Sequence, residues 1–459
     1  MTLKKILGSV LVVVITLSAL SSYAAAQETD DEIVLTIWGD PGGNCINDPE
    51  NDWSFCAFAR MVDTLWHEQH PNIRIEWVDM GWDETLRQNL VAAVEDGTEP
   101  DITIGESFMP TLTQQGLFLP LTASEDFKNN LIPATVEGVT WNDEIYGVAV
   151  FTGIFTLEVN ADVLLANGYD INTVALTTWE QVLTVAQDIT ESSGGTFYGY
   201  SILGPTEFLA AAPFRVVPYL YQAGVELCET QACEVPILND PNAIPVYEWF
   251  RDLYQVTDQA VAFSGNEAAV FSQLFSGLSA MQTAGSWHID WAESSGCVDC
   301  RYFPLPIIDG GEPSNVVVGN AIYAALASTE HPEEAQSFLE FIGSPEVQNA
   351  VFWTGGVGRL PTTYSGINSI FSVVDGNTET IPNFYTEVLD YDIADAPQEA
   401  GKYIPFLTEL VDSNPRTLPA WSSETFRLWN DMFAEILTTD EPVIDILDRY
   451  QEQVMNTSQ

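Results

Sequence analysis

Two indoles one helical turn apart, Trp287 and Trp291, follow a run of small residues in the stretch FSGLSAMQTAGSWHIDWAESSG, Phe275 to Gly296. An indole supplies a broad apolar face with one N–H at its edge, and Gly285 just before it lets backbone approach whatever that face meets. Two readings stand for Trp287: a stacking platform at the end of a strand, or a side chain packed in a core. His288, its neighbour, points the opposite way if the segment is extended, and so reads as structural. Catalytic signatures are missing: there is no G-x-S-x-G, no H-E-x-x-H, no P-loop and no nucleophile with an evident base. Carboxylate pairs of the kind that cleave glycosides arise by chance among 66 acidic residues and carry little weight. Four histidines scattered at 67, 70, 288 and 331 argue against a metal centre, and no cofactor is expected.

Where such a chain resides follows from its first residues and its charge. Lys4 and Lys5, an apolar run from Ile6 to Leu20 and SSYAAAQ, with Ala24 and Ala26 at small positions, read as a secretory leader over residues 1–26. The run is short for a membrane span, and no cysteine at the cleavage site suggests a lipid anchor. The expectation is an exported protein, periplasmic or extracellular. Removing the leader leaves 12 Lys and Arg against 66 Asp and Glu, a net charge of −54. Such a field repels nucleic acid and anionic membranes, attracts cations and disfavours phosphorylated ligands. Six cysteines fall in three close pairs, Cys45 with Cys56, Cys228 with Cys233, and Cys297 with Cys300, which in an exported chain read as local disulfides. CVDC at 297–300 also fits a redox or zinc element, although a lone CxxC is a weak signal.

The elements that must position these residues alternate. IVLTIWGD gives a strand over Ile33 to Trp38, an amphipathic helix follows around Phe58 to His67, and IRIEWVDM gives a second strand. TLRQNLVAAVEDG places Leu86, Leu90, Ala93 and Val94 on one helical face and closes with Gly97, and PDITIGES is a third short strand. The alternation predicts an α/β lobe with a mostly parallel sheet, its site beyond the strand ends WGD, DMGW and GES. A long extended run from Ile145 to Asn160, broken at Thr152 and Gly153, suits a chain passing from one lobe to another. TTWEQVLTVAQDI carries a capping box, and the tail from Trp421 to Val454 is helical. About 430 residues exceed one ordinary domain, so two lobes are the natural count.

In order and spacing, LTIWGD, HPNIRIEWVDMGWDETLRQNLVAAVEDGTEPDITIGES, EIYGVAVFTGIFTLEVNADVL, TTWEQVLTVAQDI, AMQTAGSWHI, the PLP turn and STEHPEEAQSFLEFIGSPEVQ run over nearly the whole mature chain. Together they resemble the extracytoplasmic solute-binding proteins of ABC importers, in the sugar-binding group that includes the maltose-binding protein. The resemblance implies a two-lobed α/β fold of the periplasmic-binding-protein kind, class II type, with a hinge of crossing strands and a ligand held between the lobes. It places lobe I at 27–150 and 299–344 and lobe II at 151–298 and 345–459, with the first hinge crossing at Phe151 to Gly153. It also implies a small-molecule ligand, an ABC permease as partner, and a monomer.

A sugar site needs carboxylates, amides or Arg beside aromatic rings, because hydroxyls need partners and the C–H face of the ring packs on an aromatic face. By the resemblance, Trp287 matches the position that brings an aromatic ring into the cleft. Trp38, Asp40 and Glu106 end first-lobe strands where relatives bond ligand hydroxyls, and Trp82 is similarly placed. Phe151 and Thr152 face the cleft at the hinge, Glu207 and Phe208 fall where relatives place an acidic or aromatic contact, and Gly319 and Asn320 match a Gly-rich turn that meets the ligand. Trp353 and Arg359 lie in FWTGGVGRLPTTYS; Arg359 is conspicuous among so few cations, an ion pair with a nearby acid being its other reading. The loop between Cys45 and Cys56 departs from the group. A cationic amine or polyamine, held by indoles and carboxylates, stays open as the alternative ligand, and a secreted glycoside hydrolase as a lesser one.

Overall fold

The computed structural model describes residues 32–39, 54–230, 233–308, 310–354, 358–381 and 392–457. The expected leader, Asp40 and Cys45 lie outside them, and with Cys45 the expected Cys45–Cys56 pairing. The first sheet starts where period-two alternation places it: β1, Ile33–Trp38, with Leu35 and Ile37 fully buried. It runs parallel to β2, Ile73–Val78, and to β3, Ile102–Gly105. The crossovers that parallel neighbours require are the helices Ser54–Gln69 and Asp83–Asp96. The second of these buries Leu86, Leu90 and Ala93 and stops at Gly97, whose φ of 68° is the left-handed conformation that glycine adopts without cost.

After a small hairpin of β4, Thr140–Trp141, and β5, Glu144–Ile145, the short strand β6, Val148–Ala149, forms the far edge of the sheet. The chain then enters β7, Gly153–Asn160, buried along its whole length. β7 pairs antiparallel with β8, Met281–Gly285, with β9, Cys300–Phe303, and with β10, Val317–Val318. β11, Ile322–Ala325, returns to the first sheet between β3 and β6. The return therefore comes at 319–321 and not at 299, as expected from the sequence: β9 still belongs to the second sheet, and Val318 still pairs with Gly153.

Three segments lie side by side between the sheets. Val150 N–H donates to Ala321 O at 2.9 Å, Ala321 N–H to Phe151 O at 3.2 Å, and Thr152 and Leu360 exchange backbone bonds of 2.9 and 2.8 Å. The third crossing explains a second correction. The helix Pro345–Thr354 was expected in lobe II, but Val347, Ala350 and Val351 pack in the core of the first sheet, and the chain leaves that lobe only at about 360. A helix's apolar stripe shows that it is covered, not by which sheet. The helices Ser423–Thr438 and Val443–Thr457 do cover the second sheet's core, through Trp429, Phe433, Ile446 and Val454. Cys228–Cys233 and Cys297–Cys300 are disulfides. Among the described residues no helix is long and apolar enough to cross a membrane.

Candidate ligand-binding cleft

Crossing strands leave a cleft between the lobes, and a cavity of about 340 Å³ sits in it. Trp82, Glu106, Phe151 and Arg359 line it from the first lobe and the hinge, together with Thr152 and Gly319. From the second lobe come Phe208, Phe214, Arg215, Glu267, Ser286 and the two indoles, Trp287 and Trp291. A wider chamber of about 730 Å³ shares Trp82 and Phe208 as walls and includes Glu207. It also lies between lobes: Ser423 Oγ, from the second, donates to Glu84 Oε2, from the first, at 2.9 Å.

Trp287 does not end a strand. β8 stops at Gly285, and Trp287 caps the short helix His288–Ser294 with helical φ and ψ. Gly285 is required by the indole itself: a Cβ there would sit 2.1 Å from Trp287 Cζ3, so the glycine makes room for the Trp287 ring. The ring stands edge-on to Phe155 at 6.0 Å and keeps part of its surface toward the cavity. His288 is structural, as its neighbour position suggested, though by helical geometry instead of strand alternation. It is fully buried between Phe271, at 4.2 Å, and Trp291, at 5.6 Å, and its Nδ1–H donates to Glu158 Oε2 at 2.9 Å. Glu158, also fully buried, accepts from Gln282 Nε2 at 2.6 Å and from the Tyr302 hydroxyl at 2.9 Å. Three groups, from β8, β9 and the helix His288–Ser294, thus converge on one carboxyl group of β7, the satisfaction that a buried polar group requires.

On the first-lobe side Glu106 follows β3 directly. Its Oε1 accepts from Asn320 N–H at 2.9 Å, and Gly319 N–H also bonds to the carboxylate. Gly319 takes φ of +64°, the left-handed turn that presents two consecutive N–H groups to one carboxyl group. Burial pushes the Glu106 carboxyl up to about 8; Asp83 adds to the rise, while the two backbone bonds and Arg359 oppose it. Asp83 is itself raised, chiefly by burial, accepts from Ser107 Oγ, and holds a positive φ of 49° that a non-glycine residue adopts at a cost. The Arg359 guanidinium lies 4.0 Å above the Phe151 ring.

Of the residues proposed from sequence, the cavity gathers Trp82, Glu106, Phe151, Thr152, Phe208, Trp287, Gly319 and Arg359, with Glu207 in the outer chamber. Three are corrected. Trp38, flanked in the sheet by Val78 and Thr103, packs against the first core and lines neither chamber. Asn320 contributes its backbone N–H; its side chain is 2% exposed and reaches toward Thr135 O. Trp353, 5% exposed, packs with Leu360 and Ile367 in a separate apolar cluster. Sequence reasoning passed over Phe214, Arg215, Glu267, Ser286 and Trp291 as site residues. Arg215 carried a usable signal, a lone cation inside the apolar helix AAPFRVVPYLYQ of a chain with 14 Lys and Arg.

The model of the family of bacterial extracellular solute-binding proteins matches residues 64–377, more than half of the chain, and the chain belongs to that family. Among solved structures it is similar to the cyclic α-maltosyl-1,6-maltose binding protein of Arthrobacter globiformis, with 19% identity, a TM-score of 0.72, and coverage of 93% of this chain and 98% of that one. An ABC transporter solute-binding protein of Thermotoga lettingae, solved with α-D-tagatose, gives 18% and 0.67 over 93% and 100%. The GacH receptor of Streptomyces glaucescens, solved unliganded and with acarbose, gives 17% and 0.67 over 92% and 97%. At such identities the likeness concerns the fold. No curated protein matches the chain.

Proposed function

We propose that this protein is the extracytoplasmic substrate-binding component of an ABC importer, which captures a sugar or oligosaccharide between its lobes and delivers it to a membrane permease. One observation carries the reading: a cavity walled by both lobes and lined by the aromatic side chains Trp82, Phe151, Phe208 and Trp287 together with Arg and Glu side chains. Aromatic faces suit the C–H side of a sugar ring, and the charged groups suit its hydroxyls. The sugars named for the three structural neighbours agree with it. Because the cavity has walls on both lobes, its occupant contacts both, and that differential contact draws the hinge closed. The protein acts by binding without turnover, as an exported monomer with no lipid anchor, and its net charge of −54 after leader removal keeps nucleic acid away. A thermal-shift screen of the mature protein against sugars, polyols and polyamines tests this, since a ligand that binds only the native state raises Tm. A rise with sugars, recovered chemically unchanged, is expected. A rise with polyamines alone, fading as salt increases, would replace the sugar reading with the cationic one.

A further inference from the structure

The second lobe's wall holds an ion pair whose two ends are unequally used. Arg215 is 6% exposed, its guanidinium 5.4 Å from the Phe155 ring centroid and 4.8 Å from that of Phe271. Its Nη1 donates to Ala211 O at 2.8 Å and its Nη2 to Glu267 Oε1 at 2.7 Å. Glu267 opens the helix Glu267–Phe275 and is 35% exposed, and its second oxygen, Oε2, accepts no hydrogen bond from any described residue. Two polar atoms of this wall are buried without a partner among the described residues, Arg215 Nε and Ser286 Oγ, while Glu267 Oε2 faces the open side of the wall. Buried polar groups are nearly always satisfied, so a wall with two open ones beside a free carboxylate oxygen is built for an occupant that brings partners.

Resting on the sugar reading above, we infer that Glu267 is the ligand-binding carboxylate of the second lobe, fixed by Arg215, and that this pair selects an uncharged, hydroxyl-bearing ligand over a cationic one. The geometry fixes the division of labour. With Oε1 held by Arg215, the carboxylate cannot swing away, and Oε2 is left to accept an O–H from the ligand. The guanidinium also cancels the charge that would attract an ammonium group, in a chain whose surface otherwise favours cations. A hydroxyl needs only the acceptor; an ammonium group needs the net charge as well. Arg215 is accordingly a positioning residue, and Glu267 the contact.

Glu267→Gln and Arg215→Met test this in the full mature protein. Binding is measured by calorimetry at low salt with glucose, maltose, tagatose and acarbose as neutral or hydroxyl-rich probes and with putrescine and spermidine as cationic ones; melting confirms folding. The expected result is that wild type binds a hydroxyl-rich probe and neither amine, and that E267Q weakens that binding by about tenfold, as loss of a hydrogen bond to a charged acceptor implies. R215M should weaken it similarly and gain measurable spermidine binding that fades with salt. Sugar affinity within twofold of wild type in folded E267Q would overturn the inference and leave the sugar reading standing. A wild type that binds the amines and none of the sugars would overturn both. Should R215M destabilise the lobe, the half-exposed E267Q still decides the matter.

Discussion

Glu106 Oε1 accepts the backbone N–H of Asn320 at 2.9 Å, so the end of a first-lobe strand is fastened to the second hinge crossing, 214 positions further along the sequence. The carboxyl is pushed up from 4.5 to about 8, chiefly by burial. The folded group therefore keeps its proton up to about pH 8, while the unfolded group releases it near 4.5. Below 4.5 both states are protonated and the shift has no effect on stability; as pH rises from 4.5 to 8 the group progressively destabilises the fold. Glu106→Gln, which cannot ionise and keeps an acceptor for the N–H, should remove that slope. The difference in Tm between wild type and E106Q, followed from pH 4.5 to 8, should move steadily in favour of the variant, and a constant difference would refute the assignment.

Trp287 lines the cavity from the second lobe and is supported by Phe155 and the glycine beneath it. Trp287→Ala should weaken sugar binding by roughly 2–4 kcal/mol, as for other buried aromatic anchors. A dissociation constant unchanged by calorimetry would show that the indole serves the core alone.

The carboxylate of Glu158 has three donors and no exposure. Glu158→Ala leaves Gln282, His288 and Tyr302 without their acceptor and should cost about 3–5 kcal/mol of unfolding free energy. Glu158→Gln keeps acceptor oxygen and should cost less. Because His288 packs between Phe271 and Trp291, both variants should also change the tryptophan fluorescence response to sugar. Urea melts measure the first effect and titrations the second; equal stabilities for E158A and wild type would contradict the network.

Across the mouth of the cleft, Ser423 Oγ donates to Glu84 Oε2 at 2.9 Å. The hydrogen bonds from Arg87 hold the Glu84 carboxyl down at about 2, so the acceptor stays charged at working pH. The bond exists only when the lobes are together. Ser423→Ala should therefore weaken ligand affinity by about 1 kcal/mol, roughly fivefold, with little change in the Tm of the unliganded protein if that form opens. Scattering curves with and without sugar check closure directly, and an unaltered affinity would show that the bond does not help to hold the closed form.

The sequence by itself determined the local elements. Period-two and helical patterns placed β1 to β3 and the capped helices at 83–96 and 179–192, because alternation and capping are decided within a dozen neighbouring residues. It also showed a break at Thr152 and Gly153 that suits a chain passing between lobes, whereas Trp82, Glu106, Trp287 and Arg359, which line the cavity, were placed in a cleft only by the resemblance to a family. Only the tertiary structure decided which sheet each later element joins: β9 stays with the second, and the helix at 345–354 with the first. It alone sent Trp353 into an apolar cluster, turned the Asn320 side chain away from the cleft, and brought Arg215 to Glu267 across 52 residues. The physical reason is common to all of these. An apolar stripe or a lone charge states that a partner exists, but the partner's identity is fixed by packing between segments far apart in the chain, where no local pattern records it.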